Sequence, residues 1–143
     1  MTDNPSAGFM KEFNKNLIDE FRANDGKVSG QFADANLLLL TTTGAKSGQQ
    51  RLAPLAYFTV DGKLIIIGSK AGADTNPDWV HNLRANPQAH IEIGADSYDV
   101  TSRELPTAER DEIFDKVVAV APGFGEYQSK TSRVIPLFEL QKA

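Results

Sequence analysis

The chain is predicted to be an α+β protein, with six mainly antiparallel strands forming a barrel flanked by helices. Three observations predict this. Strand-like runs come in pairs joined by short turns, helical patterns are few and never alternate with strands in a repeated β-α-β period, and 143 residues suit one hydrophobic core. A single domain over residues 1–143 is therefore expected, with a helix and linker over 1–35 and the barrel over 36–140.

Phe9, Phe13, Leu17 and Phe21 recur every four residues among charged ones, which predicts an amphipathic helix ending near Asp25-Gly26. Its apolar face caps a barrel end, or contributes to a pocket, a homodimer contact or a peripheral membrane contact. From Asn36 the pattern turns to β, with strands predicted over 37–43, 51–60 and 63–69, the last two joined by an Asp61-Gly62 hairpin turn. Asn76-Pro77 predicts an N-cap with proline at the first helical position, opening a short helix over 78–84 that stops at Asn86-Pro87. Alternating residues over 90–93 and 98–104, split by Gly94-Ala95-Asp96-Ser97, predict a second hairpin. Thr107 is expected to cap a helix over 108–121, with Ile113, Phe114, Val117 and Val118 on its apolar side. Pro122-Gly123 ends it, 124–133 reads as a polar, glycine-marked stretch, and 134–140 as the last strand.

Composition narrows the chemistry. With no Cys and only His81 and His90, neither a thiolate nor a histidine metal site is expected. A net charge of −4 argues against nucleic acid as a partner. The apolar run Leu37 to Leu40 is far below the ~20 residues of a spanning helix. The opening MTDNPSAGF lacks the basic and apolar regions of a signal peptide, so the expected location is cytoplasmic, with the inner membrane face as a peripheral variant. No serine lies in G-x-S-x-G or S-x-x-K, which leaves hydrolase chemistry without support.

Two glycine-marked loops could carry a ligand. The segment from Thr43 to Arg51 holds two glycines, two hydroxyls, Lys46 and Arg51, and could present N–H groups and cations to a phosphate, although it is not a P-loop. Its alternative is a solvated hairpin. The run Gly68-Ser69-Lys70-Ala71-Gly72-Ala73 before Asn76-Pro77 would let a planar or anionic ligand approach the backbone, or is simply a tight strand-to-helix connection. Trp79 reads first as a core residue. His81 and His90 have no evident catalytic partner, and Asp111-Glu112 reads as a solvated pair.

The motifs Leu38-Leu39-Leu40-Thr41-Thr42-Thr43-Gly44-Ala45-Lys46-Ser47-Gly48-Gln49-Gln50-Arg51, Pro54-Leu55, Gly68 to Ala73, Asn76-Pro77-Asp78-Trp79, His81-Asn82-Leu83, Asn86-Pro87, Glu126-Tyr127-Gln128-Ser129 and Arg133-x-Ile135-Pro136 fall in order along the chain. Together they closely resemble the deazaflavin-dependent nitroreductase family, actinobacterial split β-barrel, FMN-binding-like proteins that use coenzyme F420. The resemblance implies a reductase that transfers hydride from the reduced coenzyme to a small electrophilic acceptor such as a quinone, enone or nitro compound. It also implies that Ala45, Lys46, Ser47 and Arg51 hold the coenzyme's phosphate and acidic tail. By the same carry-over the chain through Leu52, Ala53, Pro54, Leu55 and Ala56 runs alongside it, Ile67, Gly68, Ser69 and Lys70 approach the ring, and Asp78, Trp79, Val80, His81 and Asn82 complete the wall. Phe124 and Tyr127 would lie over the deazaflavin, with Ala56 and Ala121 in the acceptor pocket, and the chemistry of hydride transfer makes the Tyr127 hydroxyl the expected proton donor to the acceptor oxygen. The family's prodrug-reducing member has tyrosines at the positions matching Ala56, Ala121 and Phe124, so the resemblance implies a wider pocket here. An FMN-binding split-barrel reductase and a non-catalytic carrier of the coenzyme are the competing readings.

Overall fold

The computed structural model describes residues 15–27 and 36–143. Phe9, Phe13 and the linker before Asn36 lie outside the described residues. Residues 15–23 form the first helix (α1). Six strands follow, β1 (Leu37–Thr43), β2 (Gln50–Val60), β3 (Lys63–Ile67), β4 (Gln88–Ile93), β5 (Asp96–Glu104) and β6 (Leu137–Lys142). Between them lie α2 (Asp78–Ala85), α3 (Thr107–Val120) and α4 (Gly123–Ser129). The strands close a barrel in the order β1-β2-β3-β6-β5-β4, and every neighbouring pair is antiparallel.

Side chains alternate across a strand, and β1 shows why it is apolar throughout. Leu38 and Leu40 point into the barrel beside Ile66, Ile91, Val100 and Phe138. Leu37 and Leu39 point outward and are covered by Phe21, Leu17 and Ile18 of α1. A second outer layer packs Ile65 and Ile67 of β3 against Ile113, Phe114 and Val117 of α3. Helix α2 adds Trp79, Val80 and Leu83 to the barrel core. Arg22 seats α1 on β4 through two hydrogen bonds to Glu92, at 2.9 and 2.8 Å, and these hold the Glu92 carboxyl below its ordinary pKa.

Asp61 and Gly62 both adopt positive φ, 53° and 77°, the conformation a two-residue hairpin between right-twisted strands needs. Elsewhere the boundaries shift. The second hairpin turns on Gly94-Ala95 alone, and Asp96 and Ser97 already pair with Ile93 and Glu92. β3 stops at Ile67, where Gly68 leaves the strand, and β6 starts at Leu137. Neither Asn76 nor Thr107 caps a helix. Pro77 and Pro106, in extended conformation, occupy the N-cap positions themselves, and the Pro106 carbonyl accepts the Arg110 N–H at 2.8 Å. Residues 124–129, expected as an irregular stretch, belong to helix α4.

On the outer wall Arg103 bridges Glu109 and Glu139, each at 2.7 Å, and Lys63 adds a third contact to Glu109. The hydrogen bonds from Arg103 and Lys63 pull the Glu109 carboxyl down from 4.5 to about 2. A carboxylate with a depressed folded pKa stabilises the fold above its unfolded pKa and loses that contribution as pH falls through the folded value. Glu109→Gln is therefore expected to flatten the acid limb of stability between about pH 4.5 and pH 2. Thermal melts across that range, compared with wild type, check it.

Candidate functional site

One cleft, about 580 Å3 in volume, opens between the β1–β2 loop, the start of β2 and the exposed side of α2. Thr42, Gly44, Ala45, Lys46, Ser47, Arg51, Leu52, Ala53, Asp78, Trp79, His81 and Asn82 line it. The structure thus brings the predicted tail-binding loop and the predicted helix to one place.

The loop is held in shape by its own polar groups. The Gly44 N–H donates to the Gln49 carbonyl at 2.7 Å, the Gly48 N–H to the Gly44 carbonyl at 2.9 Å, and the Gln49 N–H to Ser47 Oγ at 3.1 Å. The Ala45 N–H donates to Asn82 Oδ1 at 2.9 Å, and Asn82 Nδ2 donates to Thr42 Oγ1 at 3.0 Å. Asn82 and Thr42 are buried, so Asn82 staples α2 to the loop. These four amides already have acceptors, and the anion-binding capacity of the loop resides mainly in its side chains.

Those side chains stand free. Arg22, Arg84, Arg103, Arg110 and Arg133 each make hydrogen bonds to protein oxygens. Arg51 alone among the arginines has no partner among the described residues, and neither Lys46, Asp78 nor His81 has one. A guanidinium and an ammonium left unpaired at the mouth of a cleft in an acidic protein suit an anionic ligand. Leu52, Ala53 and Trp79 supply apolar wall beside them. Trp79 serves two roles, since its ring is buried and meets Phe138 edge-on at 5.6 Å while also facing the cleft. A group with a charged tail and a flat ring fits this combination of free cations and apolar wall.

The remaining predicted residues lie outside that lining. Pro54, Leu55 and Ala56 continue along β2, with Leu55 packed against the barrel core. Val80 is fully buried in the core. Gly68 is small for a packing reason, because a Cβ there would come within 2.8 Å of Val80 and 3.0 Å of Pro136. Ile67 and Ser69 are buried, while Lys70 is exposed, with positive φ, and reaches Thr75 at 3.3 Å. On α4, Phe124 lies edge-on between Phe58 at 5.5 Å and Tyr127 at 5.6 Å. Tyr127 is half-buried, and its hydroxyl has no hydrogen-bond partner among the described residues. No buried side-chain polar atom there is left unsatisfied, so that hydroxyl reaches solvent. Ala121 follows α3 as its C-cap.

Residues matched to the F420H(2)-dependent quinone reductase family run from 14 to 142. The chain belongs to that family. An F420H(2)-dependent quinone reductase of Mycobacterium tuberculosis (strain ATCC 25618 / H37Rv) is 34% identical over 128 residues, covering 85% of each chain. A solved F420-H2 dependent reductase, FDR-A, is 39% identical with a TM-score of 0.66, over 74% of this chain and 94% of that one. A second solved chain, described as a domain-swapped dimer, is 34% identical with a TM-score of 0.68 and covers 96% of this chain and all of its own. The deazaflavin resemblance and the split-barrel fold read from the motifs are thereby borne out, and the family's cofactor is coenzyme F420 rather than FMN. The protein is an F420-dependent oxidoreductase of this family. No helix among the described residues is long and apolar enough to cross a membrane.

Three residues with structural roles at the site escaped sequence reasoning. Thr42 anchors the staple to Asn82. Arg133 donates to the carbonyls of Ala73, Gly68 and Ser69 and to Asn76 Oδ1, at 2.8 to 3.2 Å, and burial lowers its pKa. Gln128 accepts from Arg110 at 2.7 Å and the Ile135 N–H at 3.0 Å, and donates to the Arg133 carbonyl at 2.7 Å. All three lie within the quoted family motifs, which was the available signal.

Proposed function

We propose that the protein reduces a quinone or an enone at the expense of reduced coenzyme F420, with bicyclic nitroimidazoles as slower acceptors. The observation that carries this reading is Arg51, without a partner among the described residues, beside Lys46 at a cleft walled by Trp79, in a chain whose other arginines are all engaged. Arg51 at the start of β2 and Lys46 on the preceding loop grip the phosphate and carboxylates of the coenzyme's tail, and Asn82 keeps that loop in register. Bound coenzyme supplies a hydride, because a deazaflavin carries carbon where a flavin has its reactive ring nitrogen. Ile67, Ser69 and the Gly68 backbone border the ring. Tyr127 stands on α4 with Phe124 holding its ring, and its free hydroxyl donates a proton to the acceptor oxygen as charge develops there. Hydride and proton together complete the two-electron reduction.

Ala56 and Ala121 leave the acceptor side with alanines where the family's prodrug-reducing member has tyrosines, which favours compact quinones and enones over bicyclic nitroimidazoles. Steady-state rates with reduced coenzyme and either menadione or a nitroimidazole test this. Faster turnover of the quinone is expected; a preference for the nitroimidazole overturns the acceptor assignment, and no turnover of either favours a coenzyme carrier. The 34%-identical neighbour described as a domain-swapped dimer supports a homodimer.

A further inference from the structure

The loop over 68–76 and helix α4 are distant in sequence, yet one short segment ties them together. From one side, Gln128 on α4 uses both side-chain polar atoms on the backbone of 133–135. Its Nε2 donates to the Arg133 carbonyl at 2.7 Å and its Oε1 accepts the Ile135 N–H at 3.0 Å. From the other side, the Arg133 guanidinium donates to three loop carbonyls and to Asn76 Oδ1. Arg110 reinforces the junction, donating to Gln128 Oε1 at 2.7 Å and to the Ile135 carbonyl at 3.0 Å, with its guanidinium 4.2 Å from the Phe114 ring centroid. The two pieces also meet directly. Gly72 has φ +84°, and a Cβ there would lie 3.0 Å from the Tyr127 carbonyl.

The geometry points to Arg133 as a positioning residue that locks the 68–76 loop and α4 into one unit, so that the coenzyme-side loop and the Tyr127 hydroxyl hold a fixed mutual register. This rests on the reading of Tyr127 as proton donor and of 67–70 as the ring's border. A planar fork satisfying several oxygens at once is what lysine cannot imitate, since an ammonium on a flexible stem reaches fewer of them in fixed geometry. The Gln128 side chain, with donor and acceptor both engaged, transmits the constraint to the residue preceding it.

The test is amide hydrogen exchange read by mass spectrometry on the full chain, wild type against Arg133→Lys, without coenzyme. Exchange is expected to accelerate by about tenfold, as for an opening made easier by the loss of a charge-assisted hydrogen bond, in both 68–76 and 123–129. The β1–β2 loop should keep its wild-type rates. Acceleration confined to 68–76 overturns the coupling. Gln128→Glu keeps the guanidinium contacts and the acceptor bonds but loses the donation to the Arg133 carbonyl. It should produce the same paired response from the opposite end, and it decides the question should Arg133→Lys fail to fold. In turnover, Arg133→Lys should lower kcat with a Tyr127 hydroxyl present and have a smaller effect in a Tyr127→Phe background. An equal factor in both backgrounds marks a general structural loss and overturns the positioning role. Should Tyr127→Phe itself leave the rate unchanged, the proton-donor reading falls, while the exchange comparison still decides whether loop and helix are coupled.

Discussion

Arg51→Ala is expected to weaken coenzyme F420 binding by about 1.5–3 kcal/mol, the worth of a charge-assisted hydrogen bond, which is roughly ten- to hundredfold in Kd. The magnitude follows from what Arg51 lacks. An arginine engaged with a protein carboxylate must give up that partner to hold a ligand, whereas Arg51 has none to lose among the described residues. Its neighbour Lys46 lines the same cleft, so part of the attraction survives the substitution, and the loss stops short of abolishing binding. Arg84, paired with Glu104 at 2.9 Å on exposed surface, serves as the control, and Arg84→Ala should leave coenzyme affinity unchanged. Trp79 provides the readout, because this single tryptophan borders the cleft and its fluorescence should respond to a bound chromophore. Wild-type affinity should fall as salt rises, and the salt dependence should be shallower in Arg51→Ala. An unchanged Kd in that variant would remove the tail from this loop altogether.

The parts of the fold legible in the sequence are those set by local pattern. Leu37 to Leu40 announce a strand buried on both faces, and Asp61-Gly62 announces a hairpin whose positive φ values two adjacent residues supply by themselves. Lys46 and Arg51 were legible as a cation pair because they are close in sequence, Lys46 on the β1–β2 loop and Arg51 at the start of β2. Helix starts were harder. Asn76 and Thr107 have the chemistry of caps, but prolines beside them take the N-cap positions, and the Asn76 side chain turns to Arg133 instead. What sequence could not supply is the polar framework of long-range contacts. Asn82 binds a loop amide 37 residues away, and Arg133 a carbonyl 64 residues away, and neither spacing carries a periodic signal. Gly68 shows the opposite limit, for its lack of a side chain reads equally as room for a ligand or room for Val80, and the packing distances assign it to Val80 and Pro136.

Tyr127→Phe is expected to lower the rate of acceptor reduction by roughly 10²-fold, the usual contribution of a positioned general acid, with coenzyme affinity nearly unchanged. Phenylalanine preserves what the ring does. It can still meet Phe124 edge-on at 5.6 Å, it touches the same apolar layer, and it takes nothing from the hydrogen-bond framework of α4, since the hydroxyl has no partner there. Any large rate loss is then assigned to the oxygen and its proton, not to the shape of the pocket. Hydride arriving on a quinone leaves negative charge on oxygen, and a phenol within hydrogen-bond reach can neutralise that charge in the transition state, whereas water supplies the proton less efficiently. Two measurements separate the contributions. A solvent deuterium isotope effect on single-turnover hydride transfer should be present in wild type and diminished in Tyr127→Phe. Trp79 fluorescence titration should give the same coenzyme Kd for both proteins within a factor of about two if, as proposed, the removed group meets acceptor and not tail. A variant that reduces menadione at the wild-type rate would show that the proton comes from solvent or from another residue, and that Tyr127 only lines the cavity.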